Sequence, residues 1–289
     1  MSKLIFGCGY LGERVARQWH EAGDEVIVVT RSATRANELA GQGYRALVAD
    51  VTKPETIGEL PTCETVLFAV GYDGSAGTSI EQVYAVGIRN VLHRLPDDTG
   101  SFIYISSTGV YGDAAGGWVD EQTAPNPQRP GGRASLAAEL TLAASRLTQR
   151  SIILRLAGIY GPGRIPYLDK LRRGEPIAAP SAGWVNLIHV DDATSAVLAA
   201  ESYAAGVGAV SGPQRFCICD GTPAVRCEFY REVARQIGAD EPKFTTPASD
   251  SPAAARAAAD KRISNEKMLR LLGIRLDYPS YVKGLAAVL

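Results

Sequence analysis

The sequence has few cysteines, almost no net charge and no long hydrophobic run. The five cysteines are odd in number and follow neither a disulfide nor a zinc-ligand spacing, which predicts reduced thiols and no metal site. A formal net charge of -1 gives no attraction to nucleic acid or to an anionic membrane. No apolar run reaches the roughly 18 residues of a membrane span, and the first residues lack a signal-peptide pattern. These absences predict a cytoplasmic protein with no nucleic-acid and no membrane partner.

The composition is that of a folded globular chain. Hydrophobic residues make up 46% and charged residues 21% of the 289 positions. This length is sufficient for one large α/β domain with an attached lobe, or for two modest domains.

A glycine-rich turn near the start of the chain carries the first functional signal. An apolar run ending at Phe6 is followed by three glycines in the pattern G-x-G-x-x-G and then by a helix-compatible segment. The glycines are Gly7, Gly9 and Gly12, and the backbone of Tyr10 and Leu11 lies between the last two. In this context the glycines allow a tight turn and a close approach of the backbone to a pyrophosphate, which the helix N-terminus favours. The pattern predicts a dinucleotide site, and a glycine-rich surface turn is the alternative interpretation.

The end of the second predicted strand indicates which dinucleotide binds. Residues 25–30 form a β-branched run, and the next residues are Arg31 and Ser32. Sites for NAD place an acidic residue here, whereas sites for NADP place an arginine nearby. The sequence therefore predicts that NADP(H) is preferred and that NAD(H) is the second choice. The alternative for Arg31 is a solvated surface side chain.

Two further strand ends are predicted at the same edge of the sheet. The third strand ends near Asp50 and Val51, and the fourth ends at the small residues Ala69, Val70 and Gly71. Asp50 suits an acceptor for the adenine amino group, and it equally suits a cap for the following turn. The small residues after the fourth strand let the backbone lie against the cofactor. All five residues are predicted to contact the dinucleotide.

Strands and helices alternate along the first half of the chain, with a fifth strand at 101–107 and a sixth at 151–156. Such alternation predicts a Rossmann doubly wound parallel sheet with its site at the carboxyl ends of the strands. We expect a dinucleotide-binding domain over residues 1–157, completed by parts of 185–220. Residues 158–289 are expected to form mostly a small substrate-side lobe, interleaved with this core.

Three motifs after the fifth strand resemble a known superfamily. They are Ser106-Ser107-Thr108-Gly109-Val110-Tyr111-Gly112, the segment 153–164 (ILRLAGIYGPGR) and the segment 185–193 (VNLIHVDDA). Together with the glycine turn they resemble the extended short-chain dehydrogenase/reductases, the NAD-dependent epimerase/dehydratase group. The G-x-G-Y-L-G form of the turn resembles its atypical, nucleoside-diphosphate-sugar epimerase-like subgroup.

The resemblance implies a serine, a tyrosine and a lysine as the catalytic set. Ser107 matches the family serine by its register with the V-Y-G motif, and it would polarise a substrate oxygen unless its hydroxyl is used by nearby backbone. Gly131 and Ser135 occupy the tyrosine and lysine positions, and neither can replace them. Arg133 can supply positive charge at the substrate but cannot shuttle a proton.

Other residues in these motifs have two interpretations each. Tyr111 and Tyr160 are the phenols near the predicted site, and packing is the usual role of both. The functional alternative is a weak catalytic role for Tyr111 and a substrate contact for Tyr160. Arg164 would bind a nucleotide phosphate or form a structural ion pair.

The sequence therefore predicts an NADP(H)-dependent oxidoreductase or epimerase-like enzyme that lacks the usual Tyr/Lys pair. Its substrate is expected to be a nucleotide sugar or another small carbonyl- or hydroxyl-bearing molecule. The alternative function is a non-catalytic NADP(H)-binding structural or redox-sensing protein. A monomer and a homodimer are both compatible with the sequence.

Overall fold

The structure is a computed structural model, and it describes residues 1–206, 211–248, 251, 253–254 and 259–289. The chain divides into two compact units. The first comprises Met1–Ser106, Arg133–Arg155 and Ala196–Phe216, and the second comprises Ser107–Gly132, Leu156–Ser195 and Cys217–Leu289.

A seven-stranded parallel sheet forms the centre of the fold. Its strands are β1 (Ser2–Phe6), β2 (Glu25–Thr30), β3 (Arg45–Val48), β4 (Thr65–Phe68), β5 (Ser101–Ser107), β7 (Ser151–Leu156) and β12 (Gln214–Ile218). Their order is β12-β7-β5-β4-β1-β2-β3, so the order reverses beside β1. Ligands bind at such a reversal in doubly wound sheets. The predicted α/β fold with a parallel sheet is confirmed.

Shorter strands lie outside this sheet. They are β6 (Trp118–Val119), β8 (Gly158–Tyr160), β9 (Ile177–Ala178), β10 (Trp184–Val185), β11 (Leu187–His189), β13 (Ala224–Val225), β14 (Phe244–Thr245) and β15 (Arg262–Ile263). They form two-stranded pairs, such as β11 with β8 and β15 with β6.

The helices connect these strands. They are α1 (Gly12–Glu21), α2 (Ala33–Gly41), α3 (Gly87–Arg94), α4 (Pro130–Ala143), α5 (Leu168–Arg172), α6 (Val190–Gly206), α7 (Arg226–Ile237) and α8 (Tyr281–Ala286). A π-helical turn, Gln82–Val86, precedes α3, and a second one spans Met268–Leu272. In the parts of the chain that are described, no helix is both long and apolar enough to cross a membrane.

Each unit has its own apolar core. In the first unit, buried side chains of the sheet such as Phe6 and Phe68 pack against helix residues such as Val91 and Leu142. In the second unit, Tyr160 and Leu187 pack with Phe229 and Leu285. The strands of the sheet are apolar runs because both of their faces are covered, as parallel strands require.

Candidate functional site

The glycine turn between β1 and α1 has a geometry that only glycine allows at two of its three positions. Gly7 has a φ of +92°, and a Cβ there would lie 2.5 Å from the carbonyl oxygen of Ala69. A Cβ on Gly12 would overlap the carbonyl oxygen of Gly7. By contrast, a Cβ on Gly9 would meet nothing within 4 Å. The first and third glycines therefore close the turn, and the backbone at Gly9 faces open space that a ligand can enter.

The N-terminus of α1 lies directly after this opening. Leu11 precedes the helix, and among the described residues no side chain caps it. Tyr10 is fixed by Arg14, whose guanidinium donates to the Tyr10 carbonyl oxygen at 2.7 Å and lies 4.3 Å from its ring centroid. An uncapped helix N-terminus presents amide N–H groups and the positive end of the helix dipole, which together favour a phosphate.

Cys8 lies inside the turn and does not oppose an anion. Its side chain is buried, and burial, with a smaller contribution from Glu13, raises the pKa of the thiol to about 12. At neutral pH the thiol is therefore uncharged.

The residues after β2 are Arg31 and Ser32. Arg31 is half exposed, and its guanidinium lies 3.5 Å from the Asp73 carboxylate. Ser32 is the N-cap of α2, because its hydroxyl oxygen accepts the backbone N–H of Arg35 at 3.2 Å. This leaves the hydroxyl proton of Ser32 available as a donor. The preference for NADP(H) stays a prediction.

The structure gives Asp50 the turn-capping role. Its Oδ1 accepts the backbone N–H of Thr52 at 2.9 Å and the Thr52 hydroxyl at 2.8 Å. This turn ends β3 at Val48, earlier than the apolar pattern predicted. Val51 is buried, and a Cβ on Gly87 would lie 2.8 Å from its side chain. The adenine contact of Asp50 and the dinucleotide contact of Val51 stay predictions.

The end of β4 meets the glycine turn, and the predicted contacts of Ala69, Val70 and Gly71 with the cofactor stay predictions. The Ala69 N–H donates to the Phe6 carbonyl at 2.8 Å, and the Ala69 carbonyl faces Gly7. Val70 is half buried and Gly71 is exposed.

Ser106 and Ser107, adjacent at the end of β5, have different environments. Ser106 donates at 2.6 Å to Glu139, which is buried and also accepts from Arg155 at 3.0 and 2.6 Å. Ser107 is partly exposed, and its Oγ accepts the backbone N–H of Gly109 at 3.0 Å. The predicted backbone hydrogen bond is therefore present. It occupies a lone pair and leaves the Ser107 proton available to a substrate oxygen.

Arg129 lies beside Ser107, and the sequence reasoning missed it. A Cβ built on Gly109 would be 3.2 Å from Arg129 Nη2 and 3.2 Å from Ser107 Oγ. Arg129 Nη2 and Ser107 Oγ are therefore separated by at most twice 3.2 Å. The position of Arg129 depends on the path of the 22 residues that separate it from Ser107, and such a path leaves no periodic signal in the sequence.

The positions of the missing catalytic pair lie in the first two turns of α4. Gly131 is partly exposed. Ser135 is buried, and its hydroxyl forms a hydrogen bond with the phenol of Tyr104. Arg133 lies between them and is exposed.

Tyr111 and Tyr160 are both packed inside the second unit. The Tyr111 hydroxyl lies 3.1 Å from Cys217 Sγ, and the Tyr160 hydroxyl donates to the Ser280 carbonyl at 3.5 Å. Burial raises the pKa of Tyr160 further above its ordinary value, which does not suit an acid/base phenol at neutral pH. Arg164 is exposed and closes a turn with Gly161 through paired backbone hydrogen bonds. These positions lend no added support to a catalytic Tyr111 or a substrate-binding Tyr160.

A buried pair of carboxyl groups lies in the second unit, and the sequence did not indicate it. Asp192 accepts the backbone N–H groups of Asp277 and Tyr278 at 2.8 and 3.0 Å. Asp220 Oδ1 accepts the Thr222 N–H at 2.9 Å, while Oδ2 has no hydrogen-bond partner among the described residues. Burial, together with the neighbouring Asp192, raises the pKa of Asp220 to about 7. Over the same described segments, no group of three or more His, Cys, Asp or Glu side chains is placed to hold a metal ion.

The parallel sheet, its order reversal and the glycine turn define a Rossmann-type dinucleotide-binding protein. Residues 4–210 match the model of the NAD dependent epimerase/dehydratase family, so the chain belongs to this family, whose fold binds a nicotinamide dinucleotide.

Relatives of this chain share most of its length. Protein YeeZ of Escherichia coli (strain K12) is 34% identical over 286 residues, which cover 95% of each chain. A solved structure from Methylobacillus flagellatus, named as a candidate NAD-dependent epimerase/dehydratase, is 30% identical with a TM-score of 0.79, covering 99% of this chain and 97% of the other. The structure of MoeE5 in complex with UDP-glucuronic acid and NAD is 19% identical with a TM-score of 0.77, covering 100% of this chain and 97% of the other. At that identity it shows the fold alone.

Proposed function

We propose that this chain is an NADP(H)-dependent oxidoreductase or epimerase-like enzyme that acts on a small carbonyl- or hydroxyl-bearing molecule, nucleotide sugars included. The observation that carries the proposal is the glycine turn. Gly7 and Gly12 have no room for a Cβ atom. Gly9 instead faces open space beside an uncapped helix N-terminus. These features suit the pyrophosphate of a dinucleotide.

The roles of the remaining residues follow from their positions. Arg31 is exposed at the end of β2 and would bind the 2′-phosphate of NADP. When bound, the dinucleotide supplies a hydride donor or acceptor. Ser107 would donate a hydrogen bond to the substrate oxygen, because its own acceptor capacity is partly used by Gly109. Without a phenol at 131 and an ammonium at 135, the proton that reaches the substrate oxygen comes from elsewhere.

A second function is favoured by the same two positions. Ser135 is buried and bonded to Tyr104, so the lysine position has become part of the core. Loss of the catalytic lysine would be tolerated by a dinucleotide-binding protein that has no turnover and serves a structural or redox-sensing role. Loss of the proton-transfer groups costs an enzyme of this type typically 10²–10⁴-fold in rate.

Cofactor binding is tested by titrating the protein with NADPH and with NADH and following the fluorescence of the bound nicotinamide. We expect NADPH to bind more tightly, and Arg31→Ala to remove most of the difference. Tighter binding of NADH by the wild type would contradict the role given to Arg31. No binding of either would contradict the proposed function as a whole.

Turnover is tested by following NADPH oxidation with nucleotide sugars and simple carbonyl compounds. Ser107→Ala is expected to abolish any activity found, whereas Ser202→Ala, an exposed helix position, should leave it unchanged. Cofactor binding without oxidation of NADPH by any member of the panel would favour the non-catalytic function.

A further inference from the structure

A short segment before α8, residues 277–280, is held as a strap by side chains from other elements of the second unit. The carboxylate of Asp192 accepts the backbone N–H groups of Asp277 and Tyr278 at 2.8 and 3.0 Å. The Tyr278 ring lies over the ring of His189, with 3.9 Å between the centroids. Asp277 is exposed and Tyr278 is half buried, so the hydrogen bonds to Asp192 are a main attachment of this end of the strap.

The other end of the strap is tied to the second buried carboxyl. Asp220 Oδ1 accepts the Thr222 N–H at 2.9 Å, and the Thr222 hydroxyl donates to the Pro279 carbonyl at 2.9 Å. The Tyr160 hydroxyl donates to the next carbonyl, that of Ser280, at 3.5 Å. One carboxyl therefore holds the strap directly, and the other holds it through Thr222.

The two carboxyls cannot both be ionised without a cost. Asp192 is 1% exposed and Asp220 is 5% exposed, and Asp220 Oδ2 has no hydrogen-bond partner among the described residues. Burial, together with the charge of Asp192, raises the pKa of Asp220 to about 7. Burial also raises the pKa of Asp192; Asp277 adds to this rise, while His189 and the two N–H groups of the strap oppose it. Further titratable groups lie around the pair, and none of them carries a positive charge: Tyr160, Asp191, Cys219, Tyr278 and Tyr281.

We propose that residues 277–280 form a proton-operated strap, which Asp192 and Asp220 hold closed while they carry one negative charge between them and release when both are ionised. A second buried charge repels the first, and release of the strap admits water to both carboxylates. The closed form binds a proton that the released form gives up, so the equilibrium shifts toward release as the pH rises toward 7 and levels off above it. Release also uncovers His189, which is 1% exposed beneath Tyr278. This device requires neither a dinucleotide nor a substrate.

The test is backbone amide hydrogen exchange of the full chain at intervals from pH 5.5 to pH 8. The protection factor of the Asp277 and Tyr278 amides is the intrinsic exchange rate of an unfolded peptide at each pH divided by the measured rate. We expect this factor to fall as the pH rises, by at least threefold and by up to about thirtyfold if Asp220 is fully hydrated in the released state. The amides of β11, which pairs with β8 in the same unit, should stay better protected than those of the strap at every pH.

Three variants separate the strap from the rest of the unit. Asp220→Asn removes the titrating group, so strap protection should change by less than threefold over the same pH range. Thr222→Val breaks the contact with Pro279 and keeps the N–H that Asp220 accepts, so it should lower strap protection and retain its pH dependence. Asp240→Asn changes an exposed carboxyl and should behave as the wild type.

The inference would be overturned by a wild-type strap whose protection does not depend on pH, or by the same pH dependence in Asp220→Asn as in the wild type. Strap amides that exchange only as fast as those of β11 would also overturn it, because exchange would then require unfolding of the whole unit. A strap as well protected in Thr222→Val as in the wild type would show that Thr222 does not hold it. Each of these outcomes leaves the proposed dinucleotide binding standing, which the NADPH titration tests separately.

Discussion

Replacing Asp220 by asparagine is expected to stabilise the protein above pH 7. The side chain is 5% exposed, one of its oxygens lacks a hydrogen-bond partner among the described residues, and the carboxyl of Asp192 lies close enough to repel its charge. Burial is the larger cause of the raised pKa, since a carboxylate loses its hydration there. Between pH 4 and pH 7 the Asp220 carboxyl is therefore protonated in the folded protein, whereas it is ionised in the unfolded chain.

The size of the effect follows from this shift. The pKa rises from 3.8 to about 7, and each unit corresponds to about 1.4 kcal/mol, so the cost of an ionised Asp220 is on the order of 4 kcal/mol. Because the folded state binds more protons than the unfolded state between pH 4 and pH 7, stability falls as the pH rises through this window. Above pH 7 the full penalty is present. Asparagine removes it, because it resembles the protonated acid and does not titrate.

The assay is urea unfolding of the wild type and Asp220→Asn at intervals from pH 4 to pH 8. The two free energies of unfolding should be similar at pH 4 and should diverge as the pH rises, with the variant more stable at pH 8 by up to about 4 kcal/mol. Asp240→Asn, which changes an exposed carboxyl, should follow the wild type at every pH. A variant that is less stable than the wild type at pH 8 would show that Asp220 is ionised and held by charge, which would refute the reasoning.

Two further predictions concern the first unit. Arg155→Met should lower the free energy of unfolding by roughly 3–5 kcal/mol, because it leaves Glu139 buried and charged with Ser106 as a remaining donor. The double variant Arg155→Met/Glu139→Leu should recover most of this loss in the same urea assay. A double variant no more stable than the single one would contradict this account. Asp73→Asn should strengthen NADPH binding roughly twofold to fivefold and leave NADH binding unchanged in fluorescence titrations, since the Asp73 carboxylate competes with a 2′-phosphate for Arg31. Weaker NADPH binding would instead indicate that Asp73 holds Arg31 in position.

The sequence predicts the sheet well because its strands are buried on both faces. The bounds predicted for β2, β5 and β7 agree with the structure, since each is an apolar or β-branched run with an abrupt polar end. The predicted helix over 79–95 is less regular, because a π-helical turn comes before α3. Periodicity reports which residues face the core and does not distinguish 3.6 residues per turn from a local widening.

The polar side chains were harder to predict from sequence. From its sequence position Asp50 suits a ligand acceptor and a turn cap equally, and the Thr52 contacts add the turn cap without testing the other role. Arg129 and Ser107 both lie close to Gly109 because of the path of the loop between β5 and α4, which no local pattern describes. Asp220 follows the buried strand β12, and its burial depends on the residues packed around it from other segments of the second unit.

Substitutions at Ser135 test whether this position is now part of the core or is still a remnant of a catalytic site. The hydrogen bond between Ser135 and Tyr104 is buried on both sides, so Ser135→Ala leaves the Tyr104 phenol without its partner and should cost roughly 1–3 kcal/mol of unfolding free energy. Tyr104→Phe should cost less, since a helical serine can donate instead to a carbonyl one turn back. The double variant should lose no more than Ser135→Ala alone, so the coupling energy should be at least as large as the loss measured for Tyr104→Phe. Additive losses would mean that the two hydroxyls act independently, which would contradict a shared buried hydrogen bond. A measured coupling would mean that the family lysine cannot be restored at position 135 without breaking a buried contact, so this position acts as a core residue.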